Sequence, residues 1–97
     1  MDKLLYLNNL YDIYKDLLTE KQQNYFENYY FDNLSLAEIA DNYDISRNAV
    51  HNQIKIIEER LMELEDKLKI NYKKEKILEL INKKIDEKTI EEIKRIL

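Results

Sequence analysis

No glycine and no proline interrupts the 97 residues of this chain, and that double absence constrains its fold more than any motif in it. The two residues that most readily break helices are missing, and β-branched residues seldom run consecutively. An all-α fold is therefore expected. The same composition narrows function. Without glycine there is no phosphate-cradling loop, which excludes the common nucleotide-binding enzymes. Without cysteine there are no disulfides and no Cys-based metal sites, as suits a reducing cytoplasm. His51 is the single histidine, so there is no His cluster for zinc, and acids beside a lone helical histidine are unavoidable in so charged a chain and give a Ser-His-acid triad no support. The expectation is a chain with no catalytic residue, no metal and no cofactor.

Residues 34–55 organise the rest. Ser35 with Glu38 forms a capping box that opens a short helix over roughly 36–43. Ser46 is a second N-cap, ahead of Ala49, Val50 and Ile54 at helical spacing. Between them the chain must turn with positive φ, and without glycine either Asn42 or Asp44 must serve. Small Ala40 permits a close helix crossing, and Ile45 plugs the turn. This is a helix-turn-helix, with Ser46 opening the recognition helix.

The flanking segments read as support. Residues 1–18 carry Leu4, Leu7, Tyr11, Tyr14 and Leu18 at spacings of three and four, widened by Leu5, Leu10, Ile13 and Leu17. A helix apolar on two flanks is buried on both or shared with a second subunit. Thr19 and Gln22 form another capping box. Tyr25, Phe26, Tyr29 and Tyr30 then make an aromatic stripe at core spacing, favoured as packing over base stacking. Asn33 is the natural left-handed stop in the following loop.

After Ser46 the seam Val50, Ile54, Ile57, Leu61, Leu64 and Leu68 runs on to about Lys69. It must pack on the first helix, the C-terminal segment or a second subunit. Ile77, Leu78, Leu80, Ile81 and Ile85 line a fifth helix, and Thr89 with Glu92 is expected to cap a short last one. The division is a helix-turn-helix domain over residues 1–69 and an amphipathic extension over 70–97.

Charge is uneven. Residues 1–33 carry three basic against six acidic side chains, residues 34–60 three against five, and residues 61–97 ten against nine, for a net charge of −4. DNA-binding domains draw much of their affinity from Lys and Arg at phosphates, and here the candidate contact set is small (Ser46, Arg47, Asn48, His51, Asn52 and Lys55). Arg pairs with guanine and Asn with adenine through two hydrogen bonds. No apolar run approaches membrane-spanning length, so no membrane insertion is expected.

Leu18-Thr-Glu-Lys-Gln-Gln-Asn-Tyr-Phe-Glu-Asn-Tyr-Tyr, Ser35-Leu-Ala-Glu-Ile-Ala and Ile45-Ser-Arg-Asn-Ala-Val closely resemble the bacterial YlxM family over about residues 4–70. That family is itself similar to region 4 of sigma-70-type factors. The resemblance implies a sigma-70 region-4-like bundle, extended by a long fourth helix and a C-terminal helical segment. It implies a DNA-binding regulator, and gene neighbourhood ties the family to the signal recognition particle pathway. Ser46, Arg47, Asn48, Ala49 and Val50 match its recognition helix, while His51-Asn-Gln replaces the more common Tyr-Asp-Asn. The acidic balance supports an alternative, an accessory module that binds the particle's protein or RNA. A homodimer presenting two recognition helices is the expected assembly.

Overall fold

The computed structural model describes residues 2–83 and 86–97. It contains α1 (Lys3–Tyr14), a 3₁₀ turn (Lys15–Leu17), α2 (Glu20–Tyr30), α3 (Leu36–Tyr43), α4 (Arg47–Leu68), α5 (Ile70–Asn82) and α6 (Glu87–Ile96). Among the described residues there is no strand, and no helix is long and apolar enough to cross a membrane. The fold is all-α with a helix-turn-helix at its centre.

Local signals set most of the boundaries. Thr19 Oγ1 accepts the Gln22 N–H at 3.1 Å while Gln22 Oε1 accepts the Thr19 N–H at 3.0 Å. Ser35 and Glu38 repeat that exchange at the start of α3. Helix α3 ends with Asp44 at φ 55°, ψ 48°. There the Ile45 N–H reaches the Ala40 carbonyl at 3.0 Å and the Asp44 N–H reaches Asp41 at 3.4 Å. This is a Schellman stop, in which the residue after the left-handed position packs back on the helix end. Asp44, not Asn42, makes the turn, and Asn33 is left-handed as expected.

The core lies between α1, α2, α3 and α4. Leu7, Leu10, Tyr11 and Tyr14 meet Tyr25, Phe26, Ile39 and Ala40 around Val50, Ile54, Ile57, Leu61 and Leu64. Tyr11 stacks on Phe26 with ring centroids 4.2 Å apart, and Tyr25 meets Tyr43 edge-on at 4.7 Å. The aromatic stripe is core, with Tyr29 and Tyr30 at its margin. The α4 seam is covered by the first three helices of its own chain.

Three expectations need correction. Helix α1 stops at Tyr14, and Leu5 and Leu17 lie exposed, so the second apolar flank is not buried within the chain. Leu68 is exposed because α4 ends there, and the neighbouring buried position is taken by Glu65. Asp86, not Thr89, caps α6, its Oδ1 accepting the Thr89 N–H at 2.8 Å. Asp is at least as strong an N-cap as Thr, and the earlier start adds a turn to a short helix. The apolar face of α5 has no fully buried side chain, as an amphipathic extension implies; Ile85 lies outside the described residues.

Glu65 is the least expected core member. Its Oε1 accepts the Tyr14 hydroxyl at 2.6 Å and the Asn71 N–H at 3.0 Å, and its Oε2 accepts the Tyr72 N–H at 3.0 Å. The Ile70 N–H donates to the Tyr14 oxygen at 3.2 Å. One carboxylate thus satisfies the amides that open α5, while Lys69 turns the chain at φ 58°. Burial first, and then the bond to Glu65, push the Tyr14 phenol up to about 12.

Removing the carboxylate orphans these donors, so Glu65→Ala should cost about 2–4 kcal/mol in urea unfolding, against less than about 0.5 kcal/mol for exposed Asp66→Ala. Equal effects would refute the cluster. Lys69→Gly, which relieves a left-handed Cβ, should raise stability by about 0.5–1 kcal/mol by the same measurement.

A phenol raised in the folded state favours folding fully below its ordinary pKa of 10.0 and progressively less as pH climbs to its folded value. The stability gap between wild type and Tyr14→Phe should therefore narrow between about pH 10 and pH 12. A gap that stays constant across that range would contradict the assignment.

Candidate nucleic-acid interface

The Schellman stop at Asp44 and the cap at Ser46 together decide what α4 presents. Ser46 Oγ accepts the Ala49 N–H at 3.0 Å, and its carbonyl takes the Val50 N–H at 3.1 Å. Helical phase then follows from burial: Val50 and Ile54 point into the core. Arg47, Asn48, His51, Asn52 and Lys55, at i, i+1, i+4, i+5 and i+8, all fall on the exposed side, and Ser46 is exposed beside them. All six residues singled out from the sequence are brought to one surface.

Their electrostatic state differs from that of basic residues farther along. Arg60 lies 3.6 Å and Lys67 3.0 Å from the Glu63 carboxylate, and Lys69 lies 3.9 Å from Asp66. Lys67 and then Arg60 hold the Glu63 carboxyl below its ordinary value. Among the described residues Arg47 and Lys55 enter no such pair. Glu38 is engaged by the cap at Ser35, which lowers its pKa and keeps it charged. Exposed Asp41 and Asp44 leave the α3 side of this surface acidic.

Beside the α4 face runs a groove of 390 Å³ between Lys3 of α1, Tyr29 and Tyr30 of α2, and His51, Ile54, Lys55 and Glu58 of α4. Tyr30 donates its hydroxyl to the Glu58 carboxylate. Burial and that bond raise the phenol well above its usual value. Tyr29 meets Tyr30 edge-on at 4.9 Å. The sequence reading missed this wall because its parts lie up to 55 positions apart and share no local pattern. A surface of two cations, two carboxamides, an imidazole and a hydroxyl can donate to and accept from base edges or phosphates.

Residues 1–96 match the family described as "Putative helix-turn-helix protein, YlxM / p13 like" (UPF0122). A UPF0122 protein of Shouchella clausii is 54% identical over 70 residues, an alignment spanning 72% of this chain and 64% of that protein, slightly less than two thirds of its length. A UPF0122 protein of Mycoplasma capricolum is 44% identical across 100% of this chain and 90% of its own length. One from Halalkalibacterium halodurans is 45% identical across 100% of this chain and 93% of its own. The cap-and-turn geometry and these likenesses converge: the chain belongs to the UPF0122 family of helix-turn-helix proteins.

Proposed function

We propose that this protein is a cytoplasmic DNA-binding regulator that lays the first two turns of α4 in the major groove. Arg47, Asn48, His51 and Asn52 face base edges, while Ser46 and Lys55 hold the flanking phosphates. The observation that carries this reading is the division of charge along α4, whose proximal cations stand unpaired where its distal ones are neutralised. Ser46 uses only its oxygen as a cap, which leaves the hydroxyl proton for a phosphate.

The acidic balance of residues 1–60 favours a second reading. In it the same polar face docks on the protein or RNA of the signal recognition particle, the pathway to which the YlxM resemblance points. Where the partner is the particle's protein, the net negative charge of this chain faces no phosphate backbone.

The two are separated by binding to duplexes selected from genomic fragments. With two cations at phosphates, the logarithm of affinity should fall against that of salt with a slope of about −2 per chain. Arg47→Ala should weaken a selected site by about 5–150-fold, equivalent to about 1–3 kcal/mol. If no duplex is retained at low salt while the chain co-purifies with the particle's protein or RNA, the first reading falls and the second stands.

A further inference from the structure

Away from the recognition face, a cavity of 270 Å³ opens where α1, the end of α4 and the start of α5 meet. Tyr6, Glu65, Asn71 and Glu75 line it, with Met62 and Tyr72 more exposed at its mouth. Glu65 is only 6% exposed. A carboxylate offers about four lone-pair positions; bonds from Tyr14, Asn71 and Tyr72 occupy three of them, which leaves one on Oε2. Those donors and the α5 dipole stabilise the charge, yet none of them is a cation. Asn71 is 5% exposed, and among the described residues only its backbone is hydrogen-bonded. A carboxamide so deeply buried and left without a partner is costly, and this one lines the cavity. Burial first, and then the charges of Glu65 and Glu75, raise the Tyr6 phenol above its ordinary value, so both carboxylates bear on one hydroxyl.

The cations nearby are committed to other acids. Lys69, at the cavity's rim, stands 3.9 Å from Asp66, and Lys76 stands 3.7 Å from Glu79. Glu65 and Glu75 enter no ion pair among the described residues. Nor do three acidic or imidazole groups among those residues converge closely enough to hold a metal ion. The cation that fits is therefore a larger, polyatomic one. We propose that this cavity binds a guanidinium group, which donates to Glu65 Oε2, the Asn71 carboxamide oxygen and the Tyr6 hydroxyl while Glu75 balances its charge. An ammonium concentrates three donors at one point, whereas a guanidinium spreads five over a plane and so reaches acceptors on three helices. Met62 and Tyr72 flank the apolar stem that carries the group. Asn71 and Glu75 also border a 210 Å³ cavity on the Asp12 side of α5, but Lys74 lines that one and repels a cation there. Glu65 lies about 15 Å along α4 from Lys55. The site uses no residue of the Ser46–Lys55 face, so it stands whether that face meets DNA or another ligand.

Titration of the full chain with ethylguanidinium chloride, followed by amide NMR, tests this. The Asn71 side-chain NH₂ and the Tyr72 amide should shift together and saturate, with a dissociation constant on the order of 1 mM for so small a ligand. Ethylammonium chloride at the same ionic strength should bind at least about fivefold more weakly, since it cannot span the acceptors. Glu75 is exposed, so Glu75→Gln should keep the fold and weaken binding about threefold. Glu79→Gln, one turn farther along α5, should leave binding unchanged. Acetyl-arginine amide separates the two sources of the group. Clearly tighter binding than ethylguanidinium assigns the site to an arginine side chain of a protein partner, and equal binding assigns it to a free guanidinium compound. The absence of a saturable shift in the millimolar range would leave the cavity to water and overturn the proposal. Equal binding of ethylammonium, or no effect of Glu75→Gln, would overturn it as well.

Discussion

A single buried carboxylate fixes the relation of three helices. Glu65 sits on α4, takes a proton donor from α1 and closes the amides of α5. Desolvating an ion is costly, and here the cost is offset by three hydrogen bonds and by the positive end of the α5 dipole. No apolar residue at position 65 could serve, because the amides that begin α5 have no intrahelical partner. Leu61 and Leu64 hold α1 on α4 by burial, which is not directional. Glu65 supplies the direction, and it sets the angle at which the C-terminal hairpin leaves the core.

Two of the left-handed residues, Asp44 and Lys69, each turn the chain from one helix toward the next, and they differ in cost. Asp44 is of a type that visits this region readily, and its Schellman bonds recover the carbonyls at the end of α3. Lys69 has no such excuse. A non-glycine residue there costs roughly 1–2 kcal/mol, and only the Tyr14–Glu65 cluster around it accounts for the conformation. The helix-turn-helix is thus set by its own local chemistry. The α4–α5 corner is imposed by contacts between residues far apart.

That difference explains what could be read from the sequence. Ser35 with Glu38, Thr19 with Gln22, Ser46, Asn33 and Asp44 each act within a few residues of themselves, so spacing alone exposes them. Glu65 meets Tyr14 across 51 positions and Tyr30 meets Glu58 across 28. In a chain with 20 acidic residues and 8 tyrosines nothing local singles out those pairs. Leu68 misleads for the same reason: it continues the seam's period, yet the helix ends beneath it. Thr89 misleads by competition, since Asp86 offers an equal cap three residues earlier. The exposed face at the start of α4 is readable because burial of Val50 and Ile54 fixes the phase of everything between them.

The long fourth helix therefore does two jobs with one periodicity. Its buried stripe is continuous from Val50 to Leu64 and ties the first turns of α4 to the body. Its outer stripe changes character on the way. Near Ser46 the polar groups are uncommitted, whereas from Arg60 onward basic side chains are matched with acids of the same helix. Exposed pairs of that kind contribute little stability, so their main effect is to neutralise the distal surface. With a net charge of −4 the molecule as a whole repels a polyanion at distance. Against such a polyanion the α4 tip would draw little help from long-range attraction, and selectivity would rest on hydrogen bonds formed after contact.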